Sequence, residues 1–202
     1  MFLVLFIDIN IMKKPEFHFP LNFKKLRRGG PAIVLPKDSG AIIAYTGINR
    51  DSLVVEAGAG SGFLTVALAS VAKQVVSYEN NEEFAKLAEE NIKRAELNNV
   101  KIKVNDITNG IVESDVDAVI LDMRDSVKVI KIAHDALKKD HYIVGYLPNI
   151  EQAKEFYLEC EKLFEKVFML ETIVRDYEVR DFGVRPKHWG LTHSGYLVFG
   201  RK

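Results

Sequence analysis

The stretch Leu53-Val-Val-Glu-Ala-Gly-Ala-Gly-Ser-Gly62 constrains the fold more than any other part of the chain. Residues 53–55 are apolar and mostly β-branched, the composition of a buried strand. Gly58, Gly60 and Gly62 follow at once, and residues 63–72 read as a helix with apolar side chains on one broad face. A strand, a tight glycine turn and a helix make a cradle for a nucleotide-like cofactor. The missing side chains let the backbone approach the ligand, and the helix N-terminus adds the positive end of a dipole. Glu56 ends this strand, where it would face a cationic ligand. Glu79 ends the next apolar run, residues 75–78, where an acid can hold ribose hydroxyls.

The remaining chain continues the alternation. Helices are expected at residues 41–45, with Asp38 or Ser39 as cap, and at 82–97, 126–137 and 150–164. Further strands are expected at 100–104, 118–121, 142–146, 167–174 and 196–199. This order predicts an α/β fold with a mostly parallel seven-stranded sheet covered on both faces. The final strand follows another strand with no helix between them, which predicts an antiparallel strand at the sheet edge. Asp106 and Asp122 each follow a strand, so they would face the same crevice as Gly58 and Glu79.

At 202 residues the chain has the size of one domain, residues 37–202, preceded by a short β appendage at 1–36. Lys plus Arg and Asp plus Glu number 28 each, so bulk charge does not announce a nucleic-acid partner. Local clustering does. Residues 13–28 hold Lys13, Lys14, Lys24, Lys25, Arg27 and Arg28 against one acid, Glu16, with Phe17, His18, Phe19 and Phe23 interleaved. Two readings stand side by side: contact with an RNA backbone and unstacked bases, or a solvated segment whose Phe residues pack on the main domain. The apolar run at 1–7 is too short to span a bilayer and reads as a strand, not as an anchor or signal. The single cysteine, Cys160, excludes an internal disulfide. It reads as a packing residue in a reducing, cytoplasmic setting. The polar link at 175–194 reads as a substrate loop or a surface excursion. No metal-ligand cluster is visible.

The spacing E-x-G-x-G-x-G, with Phe63 at the third glycine position of the nicotinamide pattern, resembles the first motif of Rossmann-like class I S-adenosylmethionine-dependent methyltransferases. Methyl transfer needs the acceptor held in near-attack geometry. It gains from a fixed negative group facing positive charge on the acceptor, for which Asp122 is the candidate. A narrower resemblance rests on several blocks in order: Arg28-Gly29, Leu35-Pro-Lys-Asp38, the glycine motif, Glu79, Asp106, Asp122, Tyr146-Leu-Pro-Asn-Ile150, Arg185-Pro186 and His193-Ser-Gly-Tyr-Leu-Val-Phe199. Together, over residues 27–202, these are similar to the tRNA (adenine-N1)-methyltransferases that act on the T loop, at position 58 and in some cases 57.

That resemblance implies roles. Gly58, Gly60, Ser61 and Gly62 would line the methionine part of S-adenosylmethionine, with Glu56 beside them. Glu79 would hold the ribose and Asp106 the adenine amino group. Asp122 would serve both cofactor and catalysis, accepting from N6 of the target adenine. Tyr146 would border the base as a catalytic and substrate-binding residue. Arg27, Arg28 and His193 would bind tRNA. A homotetramer is also implied; no membrane association is expected, as the short N-terminal run already indicated. Two departures stand out. Met123-Arg124-Asp125 replaces the proline-containing, tryptophan-ending stretch common after the aspartate, and the segment before Pro36 is shorter than the family's β-rich domain. The competing readings are a methyltransferase for another RNA or a small molecule, and a non-catalytic tRNA-binding subunit.

Overall fold

The computed structural model describes residues 18–188, 190 and 193–202. The strand expected at 1–7, with Lys13, Lys14, Glu16, Phe17 and Trp189, lies outside the described residues. In chain order the elements are α1 (Leu21–Lys24), α2 (Pro36–Thr46), β1 (Leu53–Ala57), α3 (Phe63–Ala69), β2 (Gln74–Glu79), α4 (Glu82–Arg94) and β3 (Val100–Val104). A short 3-10 turn (Ile107–Asn109) leads to β4 (Val116–Leu121), α5 (Ser126–Ala136), β5 (Leu137–Leu147), α6 (Ile150–Glu161), β6 (Lys166–Leu170), β7 (Tyr177–Arg180), β8 (Gly183–Pro186) and β9 (Tyr196–Arg201).

Seven strands form one sheet in the order β3-β2-β1-β4-β5-β9-β6. β1 to β5 are mutually parallel, and β9 pairs antiparallel with both β5 and β6. Strand periodicity sends neighbouring residues to opposite faces. Val55, Val119 and Ile143 meet Val129 and Ala133 of α5 and Phe156 of α6 on one face. Val54, Ile120, Val144 and Phe199 meet Ile42 of α2 and Leu64 and Leu68 of α3 on the other. Both faces are covered, which is why the central strands read as continuous apolar runs.

The antiparallel strand differs from expectation in position. β9 is not at the edge but inserted between β5 and β6. Its residues 197–200 are all buried, which suits a strand hydrogen-bonded on both sides, whereas β6, the true edge, leaves Lys166 and Met169 exposed. The helix expected at 41–45 instead spans Pro36–Thr46, because proline is favoured in a first turn, where its missing N–H costs nothing. Asp38 and Ser39 therefore lie inside α2 rather than capping it. Asn81 caps α4 and Asn149 caps α6, each through its side-chain oxygen. Ahead of α2, Phe23 is buried and forms a ring cluster with Phe19 and Phe63 of α3. Their rings go to packing, not to unstacked bases. Cys160 is buried in the α6 face, and burial pushes its thiol up to about 12. The link at 175–194 contains the exposed β7–β8 hairpin. No helix among the described residues is long and apolar enough to cross a membrane.

Phe199 is fully buried in β9 and stacks on Phe168 of β6, ring centroids 4.7 Å apart. Phe199→Ala should lower the unfolding free energy by about 3–5 kcal/mol in a urea titration, the usual range for truncating a core aromatic.

Candidate active site

The order of strands reverses between β1 and β4, and a crevice opens beyond their carboxyl ends. It has a volume of about 1040 Å³. Ligand cavities run from roughly 300 to 1,000 Å³, so there is room for a cofactor and a second flat group beside it. The glycine turn forms its floor. The Gly58 amide donates to the Tyr78 carbonyl of β2 at 2.9 Å, and the Asp122 amide to the Ala57 carbonyl of β1 at 2.9 Å. Gly58 has φ 88°, and a Cβ there would lie 2.0 Å from the Asp122 carbonyl oxygen. Only glycine lets these two strand ends come so close. Gly58, Gly60 and Ser61 line the crevice. Gly62 does not: it starts α3 at φ 78°, and a Cβ there would meet the Ala88 backbone of α4 at 3.2 Å. Its role is helix packing.

Glu79 ends β2 at the crevice. One oxygen accepts the Gly60 amide at 2.9 Å and the other the Asn81 amide at 3.0 Å. Asp106 lines the crevice beyond β3; its Oδ1 accepts the Thr108 hydroxyl and amide, which hold its carboxyl below the usual range. Asp122, half-buried, follows β4. Burial pushes its carboxyl up to about 7, helped by the negative charges of Glu56 and Glu79.

Glu56 departs from expectation. β1 runs two residues further than the apolar pattern indicated, so Glu56 sits inside the strand, fully buried behind the crevice surface. Its Oε2 accepts the Thr65 hydroxyl of α3 at 2.6 Å, while Oε1 has no partner. Burial pushes this carboxyl up to about 7, partly opposed by the Thr65 hydrogen bond. Three acids, Glu56, Glu79 and Asp122, thus gather about the glycine turn, and no basic side chain is among the groups that shift Glu56 and Asp122. A positively charged ligand fits such a site, and a backbone-lined turn fits a cofactor.

Tyr146, near the end of β5, lines the crevice. Burial, then the Asp38 carboxylate, push its phenol above its ordinary value, so it stays protonated. Its hydroxyl donates to Asp38 Oδ2 at 3.5 Å. Buried Asp38 and half-buried Lys37, Thr172 and Ser194 form one polar cluster here that the sequence did not reveal as a group. The one available signal was that Leu35-Pro-Lys-Asp38 and His193-Ser194 both belonged to the resemblance. His193 also lines the crevice. Its Nδ1 lies 2.6 Å from Glu171 Oε1 and its Nε2 3.3 Å from the Pro148 carbonyl, an arrangement that favours the imidazolium; Glu171, the larger influence, raises its pKa. Arg27 and Arg28 lie outside the crevice lining. Arg27 pairs with Glu90 at 3.0 Å and Arg28 stands over the Phe19 ring. Met123, Arg124 and Asp125 line the crevice, and Asp125 makes no side-chain cap to α5. Among the described residues no group of three His, Cys, Asp or Glu is placed to hold a metal ion.

A family model described as tRNA methyltransferase complex GCD14 subunit matches residues 28–194. The chain is 37% identical to the tRNA (adenine(57)-N(1)/adenine(58)-N(1))-methyltransferase TrmI of Methanocaldococcus jannaschii, covering 83% of this chain and 71% of that protein. Among solved structures it resembles the tRNA (m1A58) methyltransferase TrmI of Aquifex aeolicus, with TM-score 0.85, 30% identity, and coverage of 91% of this chain and 76% of that one. It also resembles a Thermotoga maritima structure described as a SAM-dependent O-methyltransferase, with TM-score 0.83, 33% identity, and coverage of 86% and 67%.

The raised pKa of Glu56 has a consequence for stability. Between about pH 4.5 and 7 the folded protein holds a proton that the unfolded chain releases. Stability present below that window is lost as pH rises through it. Going from pH 5 to pH 8 should therefore cost the wild type roughly 1–3 kcal/mol more than Glu56→Gln in urea unfolding. Parallel pH profiles for the two proteins would show that Glu56 is ionised throughout.

Proposed function

The chain belongs to the tRNA methyltransferase family whose model is the GCD14 subunit, and on that premise we propose that it methylates N1 of adenine in the tRNA T loop with S-adenosylmethionine as donor. The observation that carries the reading is the shared crevice: the glycine turn after β1 and Asp122 after β4 are in backbone contact, so cofactor cradle and acid serve one cavity.

When bound, S-adenosylmethionine supplies an electrophilic methyl carbon on a positively charged sulfur. Gly58, Gly60 and Ser61 would hold its methionine end against backbone, Glu79 its ribose and Asp106 its adenine amino group. Glu56 contributes from behind, by charge rather than contact. A cation in the crevice favours the ionised form of Asp122, whose carboxyl otherwise titrates near neutrality. Ionised Asp122 accepts from the N6 amino group of the target adenine and leaves N1 aimed at the methyl carbon. As the N1 lone pair would bond to the methyl carbon, the carbon–sulfur bond would break with its electron pair leaving on a neutral thioether, and the positive charge passing to the ring would face the Asp122 carboxylate. Tyr146 bounds the base pocket without donating its proton. His193, Arg27 and Arg28 would meet tRNA phosphates, the two arginines from outside the crevice. The reading includes a homotetramer, as the resemblance implies, and a cytoplasmic setting, as the single cysteine suggested. The 1–36 segment acts as an appendage to the 37–202 domain.

A second reading, transfer to a hydroxyl acceptor, has the description of the Thermotoga structure behind it. The product nucleoside separates the two. Incubation with unmodified tRNA and labelled donor, followed by digestion, should yield 1-methyladenosine; label on a ribose or any other base would overturn the proposal. Asp122→Ala should lower the single-turnover rate by roughly 10²–10³-fold, and Asp122→Asn, which keeps shape but not charge, should also be slow. Calorimetric affinity for S-adenosylmethionine should change much less in both variants. A wild-type rate for Asp122→Asn would remove charge stabilisation from the mechanism.

A further inference from the structure

Beneath the crevice wall formed by Tyr146, four residues from three separate segments, Lys37-Asp38, Thr172 and Ser194, share one set of hydrogen bonds. Asp38 is fully buried in α2. Its Oδ1 accepts from Lys37 Nζ at 2.8 Å and Thr172 Oγ1 at 2.5 Å; its Oδ2 accepts from Ser194 Oγ at 2.8 Å and the Tyr146 hydroxyl at 3.5 Å. Lys37 Nζ also donates to the Thr172 carbonyl at 2.8 Å and to Ser194 Oγ at 2.5 Å. The start of α2, the link after β6 and the approach to β9 are thereby tied together at the end of β5. An apolar cluster of similar volume would stabilise the fold as well or better, because burying an ion pair forfeits hydration that the pair only partly restores. What the charged cluster adds is a fixed geometry for Tyr146, which with Ser194 carries the cluster to the crevice surface.

The other side of the Tyr146 ring is equally constrained. A Cβ on Gly195 would lie 2.7 Å from ring atoms Cε2 and Cζ, and 3.2 Å from the Leu147 carbonyl oxygen. The bare Cα of Gly195 is therefore the seat of the ring. Any side chain there would push it out of place.

We propose that Asp38 is a positioning residue for methyl transfer, anchoring the Tyr146 hydroxyl while Gly195 seats the ring, so that Tyr146 acts as a rigid wall of the base pocket. This rests on the adenine-N1 reading of the crevice. Asp38 touches neither cofactor nor base; its effect passes through Tyr146. Misplacing a positioning group by an ångström costs up to about 10²-fold in rate.

The test is a set of double-mutant cycles read by single-turnover methylation of tRNA at saturating donor. Asp38→Asn should slow the reaction about tenfold or more, and Tyr146→Phe, which keeps the ring but loses its anchor, should slow it to a similar extent. In a Tyr146→Ala background neither Asp38→Asn nor Gly195→Ala should change the rate more than about twofold, since no ring remains to be misplaced. Affinity for S-adenosylmethionine should stay within about threefold of wild type in each variant. Rates that multiply in the double variants, or donor affinity falling in step with rate, would overturn the proposal. Gly195→Ala leaves the buried charges intact, so it carries the kinetic test if Asp38→Asn fails to fold.

A second readout needs no turnover. With ring-carbon-labelled tyrosine, the Tyr146 ring, assigned by its loss in Tyr146→Phe, should give separate ε-carbon signals in the wild type because it does not flip. The signals should merge in Asp38→Asn. Merged signals in the wild type, or separate signals in both proteins, would refute the anchor. If the wild type leaves tRNA adenine untouched while the ring behaves as stated, the proposed substrate fails and the anchor stands.

Discussion

β1 is flanked by β2 on one side and β4 on the other, and these neighbours reach it from opposite directions along the sheet. Everything that gives the molecule a site follows from that pairing. The chain leaves β1 through a glycine turn stitched to β2, and Asp122 enters from β4 by donating its amide to the last carbonyl of β1. Helices cannot cover a point where successive connections depart to opposite faces, so a crevice remains there. Its depth is set by how closely the turn approaches the β4 end. That approach is possible because Gly58 has no side chain to strike the Asp122 carbonyl.

The acids around this turn follow from the same geometry. Parallel strands end together, so Glu79 and Asp122 arrive at one rim, and Glu56 lies one pleat below. Burial, and after it their mutual repulsion, raises the carboxyls of two of them, Glu56 and Asp122, to about 7. A site of this kind responds to the charge of its occupant, and a cation restores what the protein alone leaves uncompensated.

Much of this was legible in the sequence, for reasons tied to particular residues. The glycine triplet after an apolar run marked the turn, and strand-end acids marked the rim, because those signals are local. Three features were not legible. Glu56 lay inside a longer strand than the apolar pattern marked, since a single acid interrupts an apolar pattern without ending the hydrogen-bonded ladder. β9 sat one place inward from the edge because strand order is decided by which neighbour covers a fully apolar strand, not by sequence proximity. The Asp38 cluster drew on residues more than 100 positions apart, and neither partner of such a pair carries a local mark of the other.

The inward placement of β9 also bears on how the protein is made. β5 and β6 leave the ribosome before the strand that must lie between them. Until β9 slots in, both offer unpaired backbone edges flanking a gap one strand wide, an invitation to strands from other nascent chains. The pairing that closes the gap joins segments roughly 50 residues apart and is entropically slow to nucleate. Gly195, at the entrance to β9, meets the Tyr146 ring only when that pairing forms. Closing the vulnerable edge and completing this wall of the crevice thus depend on one and the same pairing, so a chain that lacks it would have both an open edge and an unfinished crevice.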